Sequence, residues 1–467
     1  MAKDLCLNLQ NGTKLMVPNR LDAITTYVIL EQERWFEKEW GFVGRLLEPG
    51  MTVLDIGANL GIYSIALARA VGTTGKVYAY EPTSETRARL EQSRDINKAD
   101  NMTVLGSALS DTEREGRIVF GTSSELNRLG ASDDGVGEAV HLTSLDLEAR
   151  RLGWPPIDFI KMDAEGEELK IIAGGSSVFR DGAPIVMFEI KADTGYEPAI
   201  ARQFQNMGYG LYRLLPDEAH LVPFVEHEID GFELNLFAVK PEAASKLGAR
   251  QLLAESWDGA PPHGDWSRFI AGQPFAAISS IFTGTVPAGQ YGEGLSAYAG
   301  WRDTSRPIGE RVALLRNALE RFRLAAAEEA SLPKLASLSR AEYDFGNRTK
   351  SLEVLRACAL ALDGGAIPDV PFIPILARFE QLGGDFRTWT ISSCIEALQQ
   401  RGSYSTYYGA ALPQLDWVAG TPFATSEIER RRALSAAVRQ RPLTLRRDLR
   451  IPAPDHLNAE AWVRLMS

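Results

Sequence analysis

Residues 52–64, TVLDIGANLGIYS, decide the fold. A short apolar run ends with Asp55 and passes into a loop with glycines at 57 and 61 and Asn59 between them. Apolar residues then recur at helical spacing. At such a strand–loop–helix junction glycines allow a tight turn and let the backbone approach a ligand closely. Six more strand-like runs follow, at 76–81, 102–109, 157–163, 184–190, 208–214 and 233–239. The first five of the seven lack polar/apolar alternation, as strands buried on both faces do. Helical stretches such as 61–70 and 85–97 lie between them. This order predicts right-handed βαβ crossovers in an open α/β sheet of seven strands, mostly parallel, with helices on both sides. The segment 216–230 carries no amphipathic helix, so the last two strands are expected as an antiparallel pair at the sheet's edge.

The loop also restricts its ligand. A dinucleotide fold would place three glycines as GxGxxG, and here the middle one is missing. The carboxylate of Asp55 would repel a pyrophosphate and attract an ammonium or a sulfonium, which points to S-adenosylmethionine rather than a nicotinamide dinucleotide. The next strand ends at Glu81, at the offset where a carboxylate accepts from ribose hydroxyls. The third ends in Ser107 and Ala108, small enough to leave room for adenine. Candidate cofactor residues are therefore Asp55, Gly57, Asn59, Gly61, Glu81, Ser107 and Ala108, together with Asp163 at the end of the fourth strand. Ligands bind at that edge of open α/β sheets, so these positions converge on one crevice.

Residues 53–64, VYAYEP (77–82), LTSLD (142–146) and above all IDFIKMDAEGEE (157–168) resemble the FkbM family of S-adenosylmethionine-dependent methyltransferases. The resemblance continues through 188–190, Gly208-Tyr209 and 235–238, and covers about residues 25–240. It implies a class I methyltransferase fold, Rossmann-like, and methyl transfer to oxygen on a sugar, glycolipid or secondary-metabolite hydroxyl.

An alcohol is a poor nucleophile until its proton leaves, so such transfer needs a base within hydrogen-bond reach. Glu165, two residues beyond the fourth strand, is the expected base, with Asp163 holding the cofactor or orienting the acceptor. Lys161 pairs with one of these acids or contacts substrate. Glu167, Glu168 and Glu189 crowd the same edge, and like charges so close should raise at least one carboxyl pKa. Glu167 and Glu168 also suit a helix start electrostatically. His141 is a weaker candidate base. Asp163, Glu165 and Asn235 are considered as magnesium ligands, and the expectation is that no metal is used.

The full chain has 467 residues, too many for one core, and a net charge of −11. Such acidity argues against a nucleic-acid partner. Three scattered cysteines exclude a disulfide framework and a zinc ribbon. There is no apolar run of membrane-spanning length and no signal-peptide pattern at the start, so a cytoplasmic protein is the default expectation.

Residues 1–49, with a hairpin turned at Asn11-Gly12 and a helical stretch at 29–47, form an N-terminal extension or lid of the methyltransferase domain at 50–242. A Pro/Gly-rich linker spans 243–265. Residues 266–467 read as a mainly helical accessory domain, with one tetratricopeptide-like helix pair at 335–362 turned at Gly346-Asn347. Its arginine-rich run 429–450 reads as a solvated helix face, or else as a surface for a protein partner or an anionic ligand. The aromatic residues Trp389, Tyr404, Tyr407, Tyr408 and Trp417 read as core before sugar platform. The alternative to an enzyme is a catalytically weak cofactor-binding module that docks partners through its helical part.

Overall fold

The computed structural model describes residues 4–121, 123–130, 136–192, 195–196, 198–217, 220–259, 261–439 and 458. The chain divides into two compact units, one of residues 1–213, 234–244 and 436–467, the other of 214–233 and 245–435.

The first unit is built on the expected sheet. Its strands are β1 (Thr52–Ile56), β2 (Lys76–Tyr80), β3 (Met102–Leu105), β4 (Phe159–Met162), β5 (Ile185–Glu189), β6 (Gly210–Leu214) and β7 (Asn235–Val239). They hydrogen-bond in the order β6-β7-β5-β4-β1-β2-β3. The first five run parallel and β7 is antiparallel to both its neighbours. This is the class I methyltransferase arrangement, with helices such as Ile62–Val71 and Ser84–Asn97 in the crossovers. β1, β4 and β7 are buried along their whole length, as strands covered on both faces should be. The strand order reverses between β1 and β4, the switch point where open α/β sheets bind ligands. There Asp55 of β1 and Lys161 of β4 are direct ladder partners.

Two local expectations need correction. The run 102–109 is not one strand. It breaks at Gly106, whose missing side chain leaves space for the Arg87 guanidinium, and Ala108–Ser110 joins a separate four-stranded sheet with 114–119, 128–129 and 137–144. The helical stretch 29–47 is likewise two helices, Ile24–Gln32 and Lys38–Leu46. Glu33 interrupts it in the left-handed conformation, at φ 58°. The N-terminal hairpin forms as expected, pairing Leu5–Asn8 with Lys14–Val17 about Gly12.

In the second unit the Leu215 N–H donates to the His220 carbonyl, and a short strand follows at Leu221–Pro223. The rest of the second unit is helical, with Gly289–Trp301, Ile308–Glu328, Leu332–Asp344, Arg348–Asp363 and Phe386–Gly402 as its main helices. The pair predicted over 335–362 is present, turned at Gly346 with φ 90°. Phe275, Phe282, Trp301, Phe372, Phe379 and Trp389 fill the core. Trp389 is thus core, whereas Tyr408 and Trp417 are exposed.

The arginine run departs from the solvated-face reading at Arg430 and Arg431. Arg430 and Arg431 are buried, Arg431 on Glu427, and Arg432 bonds Asp416. Residues 440–450 lie outside the described residues. Among the described residues no helix is long and apolar enough to cross a membrane.

Candidate functional site

The loop after β1 is held in backbone states that favour glycine. Gly57 has φ 75° and Gly61 φ 92°, and Asn59 between them also lies at positive φ, 46°. A Cβ on Gly57 would stand 1.8 Å from the Asp163 carbonyl oxygen, so the β1 and β4 loops touch backbone to backbone there. A Cβ on Gly61 would meet the Leu90 side chain at 2.6 Å. The Gly57 and Ala58 N–H groups both donate to the Tyr80 carbonyl, at 3.1 and 2.9 Å, which ties the loop to the end of β2.

Glu81 is buried next to that loop. One carboxylate oxygen accepts from Asn59 N–H at 3.1 Å, and the other from the Thr83 N–H and hydroxyl. Burial pushes its pKa up, and these donors oppose the rise. The oxygen that accepts from Asn59 has a single donor and keeps a lone pair for a further one. From above, the Ser124 hydroxyl donates to Asn59 Oδ1 at 2.9 Å.

Asp55 is fully buried. Its Oδ2 accepts from Ser64 at 2.5 Å, while its Oδ1 has no hydrogen-bond partner and lies 3.9 Å from Lys161 Nζ. Lys161, also buried, donates to Asp163 Oδ2 at 2.8 Å and stands 5.2 Å from the centre of the Tyr63 ring. Its neighbours Asp163, Asp55 and Glu37 outweigh burial and raise its pKa, so it carries a full positive charge.

Beyond Asp163 the chain turns through Glu165 at φ 50°. Asp163, Glu165 and Glu189 each place a carboxylate oxygen within 4.8 Å of the others, a spacing that could hold a metal ion. The raised carboxyl foreseen from the sequence is that of Glu189. Burial first, then the charges of Asp163 and Glu165 and a hydrogen bond with Asp163, push it up to about 10, so it keeps its proton at neutral pH.

The predicted residues thus fall into two groups. Asp55, Gly57, Asn59, Gly61, Glu81, Lys161, Asp163 and Glu165 gather at the carboxyl ends of β1, β2 and β4. Ala108 instead packs with Ile118, Val140 and Leu142 in the core of the second sheet, and Ser107 stays half-buried at the break before it. The partners of His141 are Glu113 and Glu115, on the exposed face of that second sheet. Glu168 accepts from the Ala164 and Gly166 N–H groups, and Glu167 accepts from Ser110 and Lys170.

Asn235, considered as a metal ligand, donates to Glu37 at 3.0 Å. Glu37 is the member of this site that sequence reasoning missed. It lies among the mixed residues of 33–40, ERWFEKEW, where nothing marks one acid from the next.

Residues 55–211 match the family model of the methyltransferase FkbM domain. The chain is 24% identical over 406 residues to the AMB antimetabolite synthetase AmbE of Pseudomonas aeruginosa, an alignment that covers 77% of this chain. It spans only 17% of that synthetase's length. Among solved structures, the methyltransferase FkbM of Methylobacillus flagellatus is 16% identical, with a TM-score of 0.28, over 41% of this chain and 44% of the other. The fibrillarin of Aeropyrum pernix, solved with natively bound S-adenosyl-L-methionine, is 13% identical, with a TM-score of 0.27, over 50% of this chain and 82% of its own. Residues 55–211 are therefore a methyltransferase FkbM domain, of a family of S-adenosylmethionine-dependent methyltransferases.

Proposed function

We propose that the chain is an O-methyltransferase that moves a methyl group from S-adenosylmethionine to a hydroxyl of a sugar, glycan, glycolipid or secondary metabolite. The carrying observation is the convergence at one sheet edge of the positive-φ loop 57–61 and a set of carboxylates sharing the Lys161 ammonium. Likeness to a stretch of an antimetabolite synthetase favours the secondary-metabolite acceptor.

The residues present suit this cofactor. Asp55 offers a buried carboxylate oxygen with no hydrogen-bond partner, and Gly57 lets the loop after β1 pack directly against the Asp163 backbone, which brings the two strand ends together. Asp55, Gly57, Asn59 and Gly61 would hold the amino-acid end and Glu81 the ribose, with Ser107 and the backbone at Ala108 beside the adenine. Bound there, the cofactor supplies an electrophilic methyl on a sulfonium.

Asp163, fixed by Lys161, would orient the donor side, and Glu165 would take the proton of the acceptor hydroxyl. Burial and the charges of Asp163 and Glu165 raise the pKa of Glu189, so it holds a proton more tightly than its neighbours and is assigned no role as that base. It donates to Asp163 and helps to fix its carboxylate. No metal is assigned a step, because the Lys161 ammonium already occupies Asp163, one of the three carboxylates an ion would need. The helical unit selects the acceptor or docks a partner.

Calorimetric titration with S-adenosylhomocysteine, and transfer of labelled methyl to a panel of hydroxylated metabolites and glycans, test this reading. Wild type is expected to bind the product, and Glu81→Ala to lose that binding. Glu165→Gln should bind as wild type while transfer falls about 10²–10⁴-fold. Undiminished transfer would move the base elsewhere.

A further inference from the structure

Glu37 lies outside the matched domain, in the segment that precedes it, yet its side chain is wired into the domain's catalytic edge. Its Oε2 accepts from the Tyr63 hydroxyl at 2.8 Å and from Asn235 Nδ2 at 3.0 Å, and its Oε1 accepts from Trp35 Nε1 at 2.8 Å. Each donor sits on a different element. Trp35 belongs to the segment itself, Tyr63 to the first turn of the helix after the glycine loop, and Asn235 to the start of β7. Asn235 is also the ladder partner of Glu189. Tyr63, held by its hydroxyl, offers its ring face to Lys161, and Lys161 holds Asp163.

Electrostatically, one ammonium serves three carboxylates. Lys161 lies against Asp163 and Asp55, and Glu37 acts on it as the third. Removing the Glu37 charge would leave the lysine to neutralise Asp163 and Asp55 more fully. The edge would then be less negative where a sulfonium has to sit.

We infer that Glu37 is a positioning residue of the methyl-transfer site, supplied by the N-terminal segment, which fixes Tyr63 and Asn235 and shares Lys161 so that the edge stays selective for a positively charged cofactor. The inference rests on the methyltransferase reading above and adds a residue that the family match does not include.

The test uses the full chain and needs no acceptor. Sinefungin, whose amine-bearing carbon puts a positive charge where the sulfonium lies, is compared with the neutral S-adenosylhomocysteine by calorimetry. Wild type should prefer sinefungin. Glu37→Gln should reduce that preference by about fivefold, a Coulomb effect near 1 kcal/mol, while homocysteine-product affinity stays within about twofold. Glu37→Asp, which restores the charge, should recover most of it. Tyr63→Phe keeps the ring and removes only the hydroxyl, so it should shift the preference in the same direction by less, and it guards against a folding defect in Glu37→Gln.

An unchanged preference in folded Glu37→Gln and Tyr63→Phe overturns the assignment, as does an equal loss of both ligands, which a purely structural role would give. A wild-type chain that binds neither compound overturns the methyltransferase reading itself, and this assignment with it.

Discussion

The two units bury charge in opposite ways. In the helical unit, Arg340 bonds Asp344 at 2.8 Å and Glu380 at 3.1 Å, Arg302 makes a two-pronged pair with Glu380, and the Tyr298 hydroxyl donates to Asp344 at 2.6 Å. Arg340 also stands 3.7 Å from Asp217, so the arginines of this network face carboxylates directly. Arg401, buried close by, is held by Ser339, Ser351 and the Ile375 carbonyl over the Tyr343 ring. At the sheet edge, three acids (Glu37, Asp55 and Asp163) share one lysine, Glu165 and Glu189 crowd Asp163, and an Asp55 oxygen has no hydrogen bond. A balanced network rigidifies a core. An unbalanced one lowers stability locally and is kept where charge from outside is to be received.

The largest expected effect tests that contrast directly. Asp344→Ala strands buried arginine charge and should cost about 3–5 kcal/mol in urea unfolding. Asp163→Asn removes charge from the crowded edge and should leave stability unchanged or raised, while methyl transfer collapses. Similar destabilisation in both variants would break the comparison.

Next in size is a pH effect at Glu189. Its folded pKa, about 10, lies above the unfolded value, so the folded chain binds the extra proton between them. Stability from this group is therefore lost as pH rises from the ordinary glutamate range towards 10. Glu189→Gln should flatten that decline and raise the Tm at pH 8 by about 2–5 °C relative to wild type, with little change at pH 4. A parallel shift at both pH values would place the effect elsewhere. The smallest effect is expected at the exposed Arg432–Asp416 pair, where Asp416→Asn should change stability by less than about 0.5 kcal/mol. A larger loss would extend the helical unit's balanced network to its surface.

Legibility followed locality. The sheet and the glycine loop could be read because unbroken apolar runs and a glycine pair are short-range signals, and Asp55, Glu81 and Asp163 close their strands in sequence as in space. The break at Gly106 depends on where the Arg87 guanidinium lies, which no local pattern encodes. Glu37 was hidden for the same reason, since its partner Asn235 is 198 residues away. Glu189 was visible only as one more acid, because its retained proton depends on burial and on facing Asp163. The buried arginines of 430–431 were misjudged because composition reports charge and not what surrounds it.

The ladder pairing of Asp55 with Lys161 has a consequence for how the chain finds its native arrangement. Side chains alternate across a strand, so a slip of one residue in β4 would send the ammonium to the opposite side of the sheet and seat Ile160 or Met162 beside a buried aspartate. That mistake would abandon a charge in a greasy interior at a heavy penalty. The pair therefore works as a proofreading mark, and an alignment error between these strands is rejected before any ligand arrives.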